Sequence, residues 1–191
     1  MTERSGAANA VAPSDPDLVD VRAAQADREA FATLYRRYLE PVYGYAFYLL
    51  GDHHDAEDVT ERTFVSALAA IGRFRDTGST FRSWLFRIAH NELANALRSR
   101  RRQRVTSIDA ISEPAGAVDP ADRVSGREES RRLRRALERL APDRRQVIIL
   151  RIVDGLSARE TGEVIGRSEG AVRVLQHRAL REMAADLRDR D

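Results

Sequence analysis

Arg167, Arg173, His177 and Arg178 lie at or near one face of a segment running from Glu169 to about Leu187, just after Gly166 and Ser168. Guanidinium and imidazole groups along one helical face neutralise phosphates and hydrogen-bond to base edges of duplex DNA. The residues ahead of them supply a mount. Ser157 with Glu160 three positions on makes a capping box that opens a short helix, Gly162 is small, and Gly166 gives the turn. Ser168 caps the last helix, and apolar Val172 and Leu175 pack it onto the one before, the spacing of a helix-turn-helix. Any helical hairpin with glycine at its corner has the same pattern, so spacing alone leaves a structural hairpin open. Thr161 stands where an apolar residue packs better, and Gly162 costs about 1 kcal/mol of helix stability relative to alanine. Both predict a motif that is loose until bound.

No bond-breaking constellation accompanies these residues. The chain has no cysteine, which excludes disulfides, thiol catalysis and cysteine metal sites. His53-His54 and His90 lack metal-ligand spacing with a second site, no nucleophile-base pair can be argued, and no glycine loop cradles a phosphate. No catalytic residue, metal or cofactor is expected, and His53-His54 reads as a solvated helix start.

The elements that must position these groups are helices throughout, so the expected class is all-α. Leu18 to Gln25 forms a short helix, and Asp27 caps the next, in which Phe31, Leu34, Tyr35 and Tyr38 fall at helical spacing. Pro41 suits the first turn of another helix, Val42 to Leu50, stopped by Gly51. A helix after Asp52 carries Ala56, Val59, Phe64, Leu68 and Ile71 on one side, until Thr77-Gly78-Ser79 breaks it. Ser79 or Thr80 caps a further helix with Trp84, Leu85, Ile88, Leu93 and Leu97, ending in the basic run Arg98 to Arg104. Later, Glu128 to Leu140 is an arginine-studded amphipathic helix, and Pro142 opens one through Val147, Ile148, Leu150 and Ile152 to Gly155.

Composition divides the 191 residues. All 32 basic side chains are arginine, against 30 acids, a net charge of +2. Net charges of −3, 0, +4, −3 and +4 fall on residues 1–30, 31–98, 99–104, 105–126 and 127–191, so the arginines are segregated. All twelve aromatics lie before residue 87. Between the halves, Arg104 to Gly126 has prolines, glycines, four acids and no sustained apolar period, which reads as a linker. The expected organisation is a disordered tail at 1–17, a helical domain at 18–102, an acidic flexible linker at 103–126 and a helix-turn-helix domain at 127–191. Val42 to Leu50, the longest nearly apolar run, falls short of the ~20 residues that span a bilayer. The N-terminus has no basic start followed by an apolar block. A cytoplasmic protein without membrane insertion is expected.

An aromatic helical domain, a linker and a terminal helix-turn-helix resemble the extracytoplasmic-function class of the sigma-70 family, the promoter-recognition subunits of bacterial RNA polymerase. The resemblance rests on FATLYRRYLEPVYGYA (31–46), GDHHDAEDVTERTF (51–64) and GRFRDTGSTFRSWLFRIAHNELANALRSRRR (72–102) for the family's region 2. For region 4 it rests on LERLAPDRRQVIILRIVDGLSARE (137–160) and GRSEGAVRVLQHRALREM (166–183). It implies a sigma factor that binds core RNA polymerase, captures the melted −10 element with region 2 and reads the duplex −35 element with region 4.

For the −10 element the resemblance implies Phe74 and Asn91, with Arg75, Arg82, Trp84 and Arg98 on the same elements. Aromatic faces and arginines that track a backbone are what unstacked single-stranded DNA requires. Most other aromatics read as core, whereas Phe74, beside a glycine-containing loop, is the better placed for base contact. For the −35 element it implies the segment Glu169 to Arg178: Arg173 for a base edge or phosphate, His177 and Arg178 for phosphates, with Ser168, Glu169 and Val174 beside them. Ser168 is equally a cap, and Glu169 equally an acid favoured in a first helical turn. Asp55, Glu57, Asp58 and Glu61 match the family's docking surface for the β′ coiled coil, while region 4 meets the β flap. Glu61-Arg62 replaces the common Gln-Glu, and Val174-Leu175 replaces a common Ser-Arg, so the −35 sequence does not follow by analogy. Asp109, Glu113, Asp119 and Asp122 of the linker are implied as a nucleic-acid mimic threaded near the RNA path, and the layout permits an anti-sigma factor. The rival reading is a stand-alone helix-turn-helix regulator that binds duplex DNA without polymerase.

Overall fold

The structure, a computed structural model, describes residues 15–106 and 134–188. The first fourteen residues and the four linker carboxylates lie outside the described residues, and among the described ones there is no strand. Helix α1 spans Leu18–Ala26; a 3-10 turn, Arg28–Ala30, leads into α2, Phe31–Leu50. Asp27 caps that turn by accepting the Glu29 N–H at 3.0 Å. The sequence suggested a break at Pro41, yet α2 runs straight through it. Proline inside a helix costs about 3 kcal/mol. Leu34 and Tyr38 before it and Val42, Tyr45 and Ala46 after it are all buried by one continuous helix, and at about 1.5 to 3 kcal/mol for a large apolar side chain their burial outweighs the proline.

Gly51 ends α2 in the left-handed region at φ 69°, its N–H bonded to the Phe47 carbonyl. Asp52 then caps α3, His53–Ala70, by accepting the Asp55 N–H at 3.0 Å. A 3-10 turn (Ile71–Arg73) and a loop through residue 80 connect to α4, Phe81–Thr106. Its four final residues belong to the stretch expected as linker; arginine and glutamine are good helix formers and carry the helix on. The second domain holds a helical segment at 134–139 (α5), α6 at Pro142–Ile148 with a π-helical continuation Ile149–Val153, α7 at Ala158–Ile165 and α8 at Glu169–Arg188.

The tether expected between the two domains lies, from residue 107 on, outside the described residues, and the domains themselves share a core. One apolar cluster runs from Val21 and Leu34 through Phe81, Leu85 and Phe86 to Ile148, Ile149, Leu150, Leu156 and Val164. The two domains meet where α4 lies along α7 and α2 touches α6. Arg134 of α5 adds a cation-π contact 5.3 Å from the Phe47 ring centre of α2. Inside the second domain, Val147, Ala158 and Val172 form a small core of their own with Leu175. So small a domain buries little by itself, and packing on the first covers the apolar side of α6.

Candidate nucleic-acid interface

Helix α4 is fixed at its start from two directions. Thr80 Oγ1 accepts the Ser83 N–H at 3.2 Å, and Asp15 Oδ2 accepts the Phe81 N–H at 2.5 Å from 66 residues away. Asp15 and Asp17 are only 7% and 2% exposed, so these two residues of the expected tail pack against the helices. The Asp17 carboxylate takes bonds from Tyr38 and Arg37, and burial pushes the Tyr38 phenol well above its ordinary pKa. Gln25 of α1 clamps the loop before α4, its Nε2 donating to the carbonyls of Ile71 at 2.9 Å and Phe74 at 3.0 Å. None of these tethers was read from the sequence, because an aspartate in a Pro-Asp-rich start looks like any tail residue.

The six residues implied for the −10 element divide into two groups. Phe74 is 5% exposed, with its ring edge-on to Phe81 at 5.9 Å and Trp84 at 5.4 Å. Its expected exposure is thus not found: the loop turns the ring inward, where it closes the end of the aromatic core, and half-buried Trp84 covers it. Arg75 is folded back on the loop, donating to the carbonyls of Gly72 at 2.9 Å and Phe74 at 2.8 Å. Arg82 is half-buried, with Nε enclosed and unpartnered. Asn91 and Arg98, in contrast, are exposed along α4. Arg98 is steadied by the Asn95 side chain at 2.7 Å. Exposed Arg87 and Asn95 join them at helical spacing, a polar stripe that the step of four from Asn91 signalled but that was not picked out.

The −35 candidates all come together. Ser168, Glu169, Arg173, Val174, His177 and Arg178 are exposed on the first half of α8, while Val172 between them is fully buried. Ser168 Oγ accepts the Ala171 N–H at 3.2 Å, confirming the cap. Glu169 is ion-paired with Arg173 one turn on, so its carboxylate faces the guanidinium expected to meet DNA. The capping box is present in both directions, at 3.1 Å from the Glu160 N–H to Ser157 Oγ and 2.8 Å from the Ser157 N–H to Glu160. Thr161 is fully buried and its hydroxyl has no partner, as expected of a polar group in an apolar slot. Gly162 departs from expectation. A Cβ there would overlap the Arg167 carbonyl oxygen, so this glycine lets the turn pass close instead of loosening the helix.

On α3, Glu57, Asp58 and Glu61 are exposed, and Val65 extends the same surface at 62% exposure. Asp55 is turned inward into an ion pair with Arg100 of α4. Asp58 lies 3.7 Å from Arg62, a surface pair worth little by itself.

A polar seam joins the domains. Gln146 Nε2 of α6 donates to Tyr45 Oη at 2.5 Å and lies 2.6 Å from His90 Nδ1. Burial lowers the His90 pKa and raises that of Tyr45, so both are neutral near pH 7. Asp154, after the π-helical stretch, is pushed up to about 7 by burial against the opposing pull of Arg82. Burial also works to raise Glu160, but bonds from the Ser157 N–H and the Thr80 and Ser157 hydroxyls hold it below the ordinary carboxylate range. Among the described residues, no group of three or more acidic or histidine side chains could hold a metal, and no helix is long and apolar enough to cross a membrane.

Sigma-70 region 2 matches residues 34–103, and Sigma-70, region 4 matches residues 130–183. The chain belongs to the sigma-70 family. The ECF RNA polymerase sigma factor BldN of Streptomyces coelicolor is 38% identical to it over 174 residues, 91% of this chain and 66% of that protein. ShbA of Streptomyces griseus, of the same class, is 34% identical over 72% of this chain and 74% of its own length. Among solved structures, the sigma factor RpoE of Bartonella quintana, in complex with the anti-sigma factor NepR, superposes with a TM-score of 0.71 at 28% identity. That superposition covers 83% of this chain and 96% of RpoE. The N-terminal half of this sigma factor is therefore a region 2 domain, which a stand-alone helix-turn-helix regulator lacks, and the chain is not an enzyme.

Proposed function

We propose that this sigma factor binds core RNA polymerase and directs promoter-specific initiation, with the exposed face of α4 holding the melted −10 strand and the first half of α8 reading the duplex −35 element. The observation that carries the reading is the pairing of two unlike surfaces on one chain. Arg87, Asn91, Asn95 and Arg98 form an exposed polar stripe along α4, suited to tracking a single strand. Arg173, His177 and Arg178 project from a helix held by a helix-turn-helix, suited to a major groove. Exposed Glu57, Asp58 and Glu61 favour a basic helical partner on core, the β′ coiled coil, with the β flap taken by region 4. These activities place the protein in the cytoplasm. An anti-sigma partner is in keeping with the RpoE–NepR likeness. The linker carboxylates Asp109, Glu113, Asp119 and Asp122 are proposed to ride in a basic channel of polymerase; unchanged core affinity and abortive synthesis after neutralising all four would exclude that.

The test is run-off transcription from genomic fragments with purified core polymerase. Promoter-dependent transcripts that need both proteins are expected. Tight, sequence-specific duplex binding by the chain alone, with no transcripts, would establish the regulator reading instead.

A further inference from the structure

The loop that leads into α4 is held at both feet by one short stretch of chain, residues 15–26, to which the −10 reading gives no task. At the near foot the chain leaves α3 through the turn Ile71–Arg73, where carbonyls at a helix end lack intrahelical partners. Gln25 of α1 partners them: its Nε2 donates to the Ile71 carbonyl at 2.9 Å and the Phe74 carbonyl at 3.0 Å, 46 and 49 residues along the chain. At the far foot Asp15 Oδ2 accepts the Phe81 N–H at 2.5 Å, while its Oδ1 accepts the Asp17 N–H at 3.0 Å and so fixes the carboxylate. Between the feet Arg75, Asp76, Thr77 and Gly78 are exposed, and Phe74 packs inward on Phe81 and Trp84 at 5.9 and 5.4 Å. Gln25 is itself exposed. An exposed amide that closes on two distant carbonyls buries little apolar surface, so what it sets is the path of the backbone.

We propose that Gln25 and Asp15 are positioning residues for capture of the melted promoter strand, an inference that rests on the −10 reading above. They hold the loop 74–80, and with it Arg75 and the first turn of α4, where the strand arrives, without touching the strand themselves. A single strand is gripped by groups that stand at set distances along it, and a loop ordered beforehand loses no freedom when the strand binds. Without the Gln25 amide, water takes the two carbonyls, the near foot moves, and each capture has to order it again. Two hydrogen bonds of ordinary strength amount to about tenfold in an equilibrium. That factor falls on strand opening. Recognition of the −35 duplex by α8, on the other domain, is untouched.

Gln25→Met keeps the length and helix propensity of the side chain and loses both donors. Trp84 is the chain's one tryptophan, and its contact with Phe74 makes its fluorescence a direct report on the near foot. The far foot also takes bonds from α7, at Gly78, Ser79 and Thr80, so Gln25 is the residue to read in the free chain. There Gln25→Met should leave Trp84 more open to acrylamide quenching, with circular dichroism unchanged. In holoenzyme with core polymerase, the lag of abortive synthesis against enzyme concentration separates closed binding from opening. Gln25→Met should slow opening about tenfold with closed binding as in wild type, and Asp15→Ala should slow the same step. Unchanged Trp84 quenching in Gln25→Met, or opening as fast as wild type in either variant, overturns the inference. So does a loss shared equally by closed binding and opening, which is what simple destabilisation of the domain gives. Asn91→Ala in parallel separates the two levels. If it slows opening and Gln25→Met does not, positioning alone falls; if Asn91→Ala opens promoters as wild type does, the −10 reading falls and the inference with it.

Discussion

Replacing Gly162 by alanine tests how the helix-turn-helix is built. On helix propensity alone the substitution stabilises by about 1 kcal/mol. The packing predicts the opposite sign. The added Cβ would overlap the Arg167 carbonyl oxygen, with the Arg167 carbonyl carbon at 3.5 Å and the Glu169 nitrogen at 3.6 Å close behind. All three are backbone and cannot swing aside as a side chain would. The turn is pinned further: the Gly162 carbonyl accepts the Arg167 N–H at 2.9 Å and also the Gly166 N–H, and Gly166 is in the left-handed region at φ 67°. Relief requires lengthening those bonds or moving the start of α8. Overpacking of this kind costs about 1 to 3 kcal/mol net, and for a chain of this size each kcal/mol lowers Tm by about 2 to 4 °C. Urea unfolding with helical ellipticity measures the stability, and a duplex carrying the chain's own −35 element reports whether α8 has shifted. A Gly162→Ala protein as stable as wild type or more so, with unchanged duplex binding, would refute the close-approach argument and restore glycine as a soft spot.

Asp154 gives a pH prediction. Its carboxyl binds a proton more tightly folded, at about 7, than at its ordinary value of 3.8, so its ionisation costs nothing below pH 4, costs progressively more between pH 4 and 7, and is constant above. The full cost is about 4 kcal/mol. Asp154→Asn should therefore gain stability over wild type between pH 5 and pH 8 in urea unfolding, and His90, common to both proteins, cancels; a pH-independent difference would mean the carboxyl is not buried as described. Arg173→Ala should weaken −35-dependent initiation by ~1 to 3 kcal/mol, and Glu169→Ala, by freeing the guanidinium from its ion pair, should strengthen duplex binding at low salt; equal activity of Arg173→Ala on all promoters excludes a base contact. Asn91→Ala should impair strand opening more than closed-complex formation, and a permanganate footprint identical to wild type would contradict that role.

The second domain was the more legible. Its caps, turn glycine and α8 face are set by neighbours three or four residues apart, and Ser157 with Glu160, Gly166, and Ser168 with Arg173 stand as the pattern predicted. The first domain was legible in its helices but less so in its site. Phe74 reads as exposed because its sequence neighbours are polar and glycine; its burial comes from Phe81 and Trp84 on the next helix. The inward turn of Asp55 likewise depends on Arg100, which local spacing does not bring near.

The sequence by itself determined the all-α class, the exposed polar face of α8, the acidic face of α3 and the family. Those follow from residue type and from periods of three and four, which any local window contains. Only the tertiary structure decided that α2 continues through Pro41, that Asp15 caps α4, that Gly162 is a close-approach glycine, and that α7 covers the start of α4. Gly162 meets a backbone only five residues on, in a turn whose path the packing of α8 on α7 sets; the others depend on partners far apart in sequence, as Asp15 and Phe81 are at 66 residues and Tyr45 and Gln146 at 101. Such contacts are selected by the burial that the whole fold offers, and no local pattern encodes them.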